Sequence, residues 1–140
     1  MKRFIFLFLL LPLTTFAGST IEIGPAKLEL AMKAGEVKTG AVKIVNHSTS
    51  SLAVTVEWQD FIGGDNPEIP IKLLGASTSA FSLKSFVGLR PTDQQFGLEP
   101  GAERQVPFQI SLPVGTPAGG RYASLVFGIE SPGSNNIHIR

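Results

Sequence analysis

The stretch Leu98–Pro113, LEPGAERQVPFQISLP, decides how the rest of the chain is read. Leu98-Glu99-Pro100-Gly101 carries turn chemistry, because proline presets φ and glycine accepts the left-handed backbone that turns demand. Beyond it Val106, Phe108, Ile110 and Leu112 fall on every second position, with Gln105, Pro107, Gln109 and Ser111 between them. Side chains on a strand alternate between faces, so this pattern predicts a strand with one buried face. Proline has no N–H to give to a sheet ladder, so Pro107 points to a strand start or an open edge.

The same punctuation recurs on both sides. Leu28, Leu30 and Met32 alternate with Glu29, Ala31 and Lys33, which predicts a half-buried strand. Ala34-Gly35-Glu36 turns the chain, and Val42 and Ile44 continue the pattern up to Asn46. His47-Ser48-Thr49-Ser50 is a polar turn, and then Leu52, Val54, Val56 and Trp58 point one way while Ala53, Thr55, Glu57 and Gln59 point the other. Phe61–Ala80 is rich in glycine and proline and reads mostly as loop, with a short strand near Ile69–Leu74. Apolar residues return at Phe81, Leu83, Phe86, Val87 and Leu89, and a short piece around Gln95–Leu98 precedes the opening stretch. Ala123, Leu125, Phe127 and Ile129 share one phase in a strand over Arg121–Ile129. Ile137 and Ile139 against His138 and Arg140 begin a last one.

About seven short strands with turn residues between them, and no sustained helical stripe, predict an all-β, immunoglobulin-like β-sandwich. Trp58 on the third strand has the place of that fold's buried tryptophan. Tyr122 has the place of the tyrosine whose hydroxyl ties a corner. Ser124 stands where antibody domains keep a cysteine. Leu52, Val54, Val56, Trp58, Phe108, Ile110, Leu125 and Phe127 are expected in one core, since they share a phase across three strands.

The chain has 140 residues and opens with Lys2 and Arg3, an apolar run from Phe4 to Leu11, and Thr15-Phe16-Ala17. This is the three-part pattern of a secretory signal peptide over residues 1–17. The run is well short of the roughly 20 residues a membrane span needs. Residues 18–140 are then expected to be one domain, which loses the two basic residues of the leader and goes from a net charge of +1 to about −1. The expected location is the periplasm or another part of the cell envelope, or the extracellular side, with no membrane contact after cleavage. There is no cysteine, so neither disulfide nor thioether anchor is available. Near-neutral charge without a basic cluster argues against nucleic acid as a partner.

Little in the chain suggests catalysis. His47 lies on a turn and His138 on the outward phase of the last strand, and neither has a partner at metal-ligand spacing. Asp60, Asp65 and Glu68 do not follow a calcium-loop pattern and read as solvated loop carboxylates. Gly63-Gly64 and Gly119-Gly120 lack the lysine and helix start of a phosphate loop, and no G-x-S-x-G elbow occurs. The expectation is a non-enzyme with no cofactor and no metal.

Taken in order, the pieces Ala26-Lys27-Leu28-Glu29-Leu30, Val42-Lys43-Ile44-Val45-Asn46, Val54-Thr55-Val56-Glu57-Trp58, Phe96-Gly97-Leu98-Glu99-Pro100-Gly101, Val106-Pro107-Phe108-Gln109-Ile110 and Gly120-Arg121-Tyr122-Ala123-Ser124-Leu125-Val126-Phe127 carry a resemblance. Over nearly the whole mature chain they are similar to the amino-terminal immunoglobulin-like domain of the PapD-like periplasmic pilus chaperones. Similar strings occur in other exported bacterial sandwich domains, including surface proteins that resemble WxL-interacting proteins. The resemblance implies strand addition to a pilin-like exported subunit, with the subunit's terminal carboxylate held by two basic residues. Lys27 sits near the first basic position; a surface lysine lying along apolar groups is the competing reading. Ile137 and Ile139 supply the alternating side chains of the last strand. The family's second basic residue and second domain would lie beyond Arg140, so the resemblance reads the domain as truncated in its last strand. Three classes stay open: a chaperone-like strand-addition module, a cell-surface or wall-binding module, and a structural sandwich repeat. Pairing with a second copy is a further use of an open edge.

Overall fold

The computed structural model describes residues 20–130; the expected leader at 1–17 and the expected last strand with Ile137, His138 and Ile139 lie outside them. The elements in chain order are β1 (Ile21–Gly24), β2 (Val37–Asn46), β3 (Leu52–Gln59), β4 (Phe61–Asn66), β5 (Ile69–Leu73), a 3-10 turn (Lys84–Phe86), β6 (Val87–Leu89), the single helical turn α1 (Pro91–Gln94), β7 (Gln95–Leu98), β8 (Glu103–Ser111) and β9 (Ser124–Glu130). One sheet has the order β1-β2-β8-β6 and a second the order β7-β3-β9, every pair antiparallel. The first order is the A-B-E-D sheet of an immunoglobulin-like sandwich, and β3 beside β9 is its C-F pair. The fold is therefore an all-β immunoglobulin-like sandwich, with two additions. A hairpin, β4-β5, projects after the third strand, and β7 crosses to the sheet opposite β6.

The core forms where the two inward phases meet. Ile44 from β2, Leu52, Val54 and Val56 from β3, Leu98 from β7 and Val106 from β8 are buried in one cluster, with Leu125, Phe127 and Ile129 packed against it. Phe108 and Ile110 are buried as expected. Trp58 is only half-buried, and its ring meets Phe108 edge-on at 5.4 Å between centroids. Gly40 lies across from Phe108, where a Cβ would overlap the phenyl ring.

Several expectations are corrected. Leu28–Met32 is not a strand, and Leu28 and Leu30 are exposed; the first strand is Ile21–Gly24, paired with Lys43–Asn46. Alternation over five residues does not secure a strand without a neighbour to complete its ladder. Phe61–Ala80 is not mostly loop, since β4 and β5 pair across it. Of the two places expected for Pro107, it is not at the strand start but in mid-strand opposite Ala41, where one side of β8 is open. It is tolerated because β6 ends opposite Phe108, so β8 has a neighbour on one side only at Pro107. Asp60 is not a solvated loop carboxylate. It is fully buried and accepts hydrogen bonds from the Ser82 hydroxyl (2.7 Å) and the Ser79 amide (3.0 Å), which folds 79–82 back over the end of β3. Tyr122 makes no corner; it is 56% exposed, and its ring sits 6.3 Å from that of Phe61.

Polar knots hold the loops to the sandwich. The buried Asn46 side chain donates to the carbonyls of Ser50 (2.8 Å), Leu98 (2.9 Å) and Glu99 (3.1 Å), and its Oδ1 accepts from the Ser48 amide and hydroxyl. It thereby joins the turn after β2 to the turn after β7. The Asp93 carboxylate, 1% exposed, takes Arg104 at 2.9 Å and Arg90 at 2.7 Å. The hydrogen bond from Arg104 is the main reason this carboxyl is held below the usual range; burial opposes it and Arg90 adds to it. Arg104 also lies over the Phe96 ring at 4.2 Å, so one guanidinium ties β8 to both α1 and β7.

Candidate functional site at the open side of the sandwich

Strand edges are where this fold has backbone groups left to pair. Of the four strands at the edges of the two sandwich sheets, three are short: β1 has 4 residues, β6 has 3 and β7 has 4. The fourth is β9, with 7 residues, paired with β3 from Ser124↔Gln59 to Glu130↔Ala53. Among the described residues no strand pairs with its other side. At the usual rise it spans about 23 Å, long enough for a full strand pairing.

The side chains along β9 show what an additional strand would cover. Leu125, Phe127 and Ile129 face the core but are only half-buried, whereas Val54 and Val56 beside them on β3 are 0% and 3% exposed. At Val54 a strand lies on each side of β3, whereas among the described residues β9 has a neighbour on one side only. Val126 and Ser124 lie on the other face with Gly128, whose carbonyl takes the Thr55 hydroxyl at 3.4 Å. Glu130 is the only charged residue within the strand, and it lies at the end. Lysine and proline, the usual guards of an exposed edge, are absent from it.

The start of β9 is fixed by its neighbours. Tyr122 donates its amide to the Phe81 carbonyl and accepts from the Leu83 amide, both at 2.9 Å, as a short parallel bridge with Ser82. Arg121 lies over the Phe86 ring at 5.3 Å. Because Ser82 is itself held by Asp60, the end of β3 and the start of β9 are set by one buried carboxylate. Phe61, Ile62, Gly63, Ser79, Phe81 and Tyr122 line a shallow depression of about 310 Å³ at that end.

Lys27, the basic residue singled out from the sequence, is on no strand. Its ammonium meets the Glu29 carboxylate at 2.5 Å with both side chains mostly exposed. Each shifts the other in the expected sense: the hydrogen bond that Lys27 donates to the Glu29 carboxylate pushes the Lys27 pKa up and pulls that of Glu29 down. To take up a partner's carboxylate, Lys27 would have to leave that pair, which costs little at the surface. His47 is tied to β1 by a 3.0 Å contact with Glu22, whose pKa is lowered first by that hydrogen bond and then by Lys43. Among the described residues no three His, Cys, Asp or Glu side chains gather as a metal site. No helix among them is long and apolar enough to cross a membrane.

The strand expected over Arg121–Ile129 is found in the expected phase, beginning later, at Ser124; which side of it is open among the described residues depends on which strands become neighbours. Sequence reasoning placed β5, as a short strand near Ile69–Leu74, but missed its partner β4, because Gly63, Gly64 and Pro67 signal loop.

No protein-family model matches the chain, and no curated protein matches it. Among solved structures it is similar to the ASH/PapD-like domain 7 of human CEP192. The two are 16% identical with a TM-score of 0.41, over 80% of this chain and 73% of that one. A likeness of that degree carries no functional argument, and the fold assignment stands on the strand order above.

Proposed function

We propose that residues 18–140 form one exported, non-catalytic module of the cell envelope that binds a partner polypeptide by strand addition beside β9. In this reading the partner is an exported, pilin-like subunit, and the module serves its assembly as a chaperone-like domain. One observation carries the reading. Among the described residues β9 is the longest edge strand, and Leu125, Phe127 and Ile129 remain half-buried beside the fully covered Val54. A strand laid along that side gains backbone hydrogen bonds from the edge and apolar cover for every second side chain.

The leader over residues 1–17 places the module outside the cytoplasm in this proposal, where such subunits are found before assembly. The arrangement asks for a ligand with apolar residues at i, i+2 and i+4 and no proline between them, since alternate side chains enter the space between the sheets. The test is a titration of the purified protein with synthetic exported-subunit strands of alternating pattern. Peptides of the same composition with the alternation scrambled serve as controls. Binding of the alternating peptides alone supports strand addition; equal binding of both, or of neither, refutes it. Fractionation with mass spectrometry of the N-terminus tests export: the mature chain should begin at Gly18 and be absent from the cytoplasm.

A further inference from the structure

The β4-β5 hairpin has an apolar face that nothing in the described residues covers. Ile69 is 60% exposed, Ile71 49% and Leu73 39%. The register sets Leu73 opposite Phe61 and Ile71 opposite Gly63, so these side chains share one face. Phe61 in turn touches Tyr122, and Phe81, 63% exposed, lines the same depression. A two-stranded hairpin is marginal in water unless its apolar face packs on something.

The edge and the face of β5 are built differently. Pro70 has no N–H to donate, and Lys72 puts a charge on the opposite face, beside Ile62. Both features discourage a further strand from adding to β5. The face bearing Ile69, Ile71 and Leu73 carries no such guard. What docks here therefore packs against the face.

We propose that the occupant is a second copy of this chain, packed hairpin face to hairpin face about a two-fold axis. Such an interface presents the same patch to itself, so a charge at its centre would meet its own like charge. This patch has none: Lys72 points away, and Asp65 lies towards the hairpin tip. The size also fits. Ile69, Ile71, Leu73, Phe81 and Tyr122, each about half-exposed, offer roughly 100 Å² apiece, or about 500 Å² per copy. Two copies would bury about 1,000 Å², the lower bound for a specific interface and the range of weak, reversible dimers. That surface lies at the end of the sandwich, leaving most of the β9 edge clear for the strand addition proposed above. The two proposals can fail separately.

Sedimentation velocity on the purified protein from about 1 to 200 µM should show a reversible monomer–dimer equilibrium, with a dissociation constant on the order of tens of micromolar. Ile71→Glu should weaken it by at least about tenfold, because two carboxylates then face each other across the axis. Phe81→Ser, at an exposed position, should weaken it too. Lys72→Glu, on the opposite face, should leave it unchanged. Circular dichroism melts of all three variants establish that they fold. A monomer at every concentration overturns the proposal. So does a dimer that persists in both Ile71→Glu and Phe81→Ser, or one that Lys72→Glu disrupts as strongly.

Discussion

Replacing Asn46 by alanine should destabilise the sandwich far more than its place at the end of a strand suggests. The side chain makes five hydrogen bonds, to Ser48, Ser50, Leu98 and Glu99, from a fully buried position. The carbonyls of Ser50 and Glu99 belong to exposed residues and can turn to water, so their loss counts for little. The bonds to Leu98 and to the Ser48 amide are worth about 1 kcal/mol each net, and the stranded Leu98 carbonyl adds roughly 1–3 kcal/mol. The sum is about 3–5 kcal/mol. With a urea slope of about 1.5–2 kcal/mol/M for a domain of this size, the midpoint should fall by about 2 M. Asn46→Asp should not rescue it, because a carboxylate would face three carbonyl oxygens. Equilibrium urea unfolding followed by Trp58 fluorescence measures the shift. A midpoint within 0.3 M of the parent would show that the two turns hold together without this side chain.

Other consequences can be measured on the same footing. Gly40→Ala should cost about 1–3 kcal/mol, because the added methyl enters the space of the Phe108 ring, and a neutral result in the same titration would contradict that packing. Trp58→Ala should cost about 2–4 kcal/mol, somewhat below the range for fully buried aromatics because Trp58 is half-buried; a thermal melt unchanged to within a degree refutes its contact with Phe108. Asp93 has a folded pKa below its unfolded value, so its contribution is complete above the unfolded pKa and is lost as pH falls through the folded one. Urea midpoints should therefore drop below about pH 4, and Asp93→Asn should flatten that part of the profile; an equal drop in the variant would assign it to other carboxylates.

Where the sequence was legible, one physical signal was enough. β3 and β8 alternate over whole strands, and burying one phase of each against the other left little choice of register. Trp58 and the Leu98–Gly101 turn then located the third and fifth strands of the sandwich. Where it was not legible, the outcome depended on residues far apart in the chain. Leu28–Met32 alternates as well as Ile21–Gly24 does, and only pairing with the last residues of β2 selects the latter. Asp60 looks like its neighbour Asp65, yet it is buried because Ser79 and Ser82 return to it. The Tyr122 hydroxyl lacks a corner to tie because the segment before β9 is already paired through its backbone with Phe81 and Leu83. The candidate site was half-readable: the phase of Leu125, Phe127 and Ile129 was evident, but their incomplete burial depends on which of the described strands lie beside them.

The most direct test of strand addition is residue-resolved amide hydrogen exchange over Ser124–Glu130, in the free protein and with an alternating apolar strand peptide. In an antiparallel pair, alternate amides of β9 point away from β3. The account predicts that these exchange quickly in the free protein and slow at least about tenfold with peptide, while the amides bonded to β3 are slow in both states. Outward amides already slow in the free protein would mean that the edge is occupied. Protection confined to β1, β6 or β7 would place binding elsewhere, and either result contradicts the account.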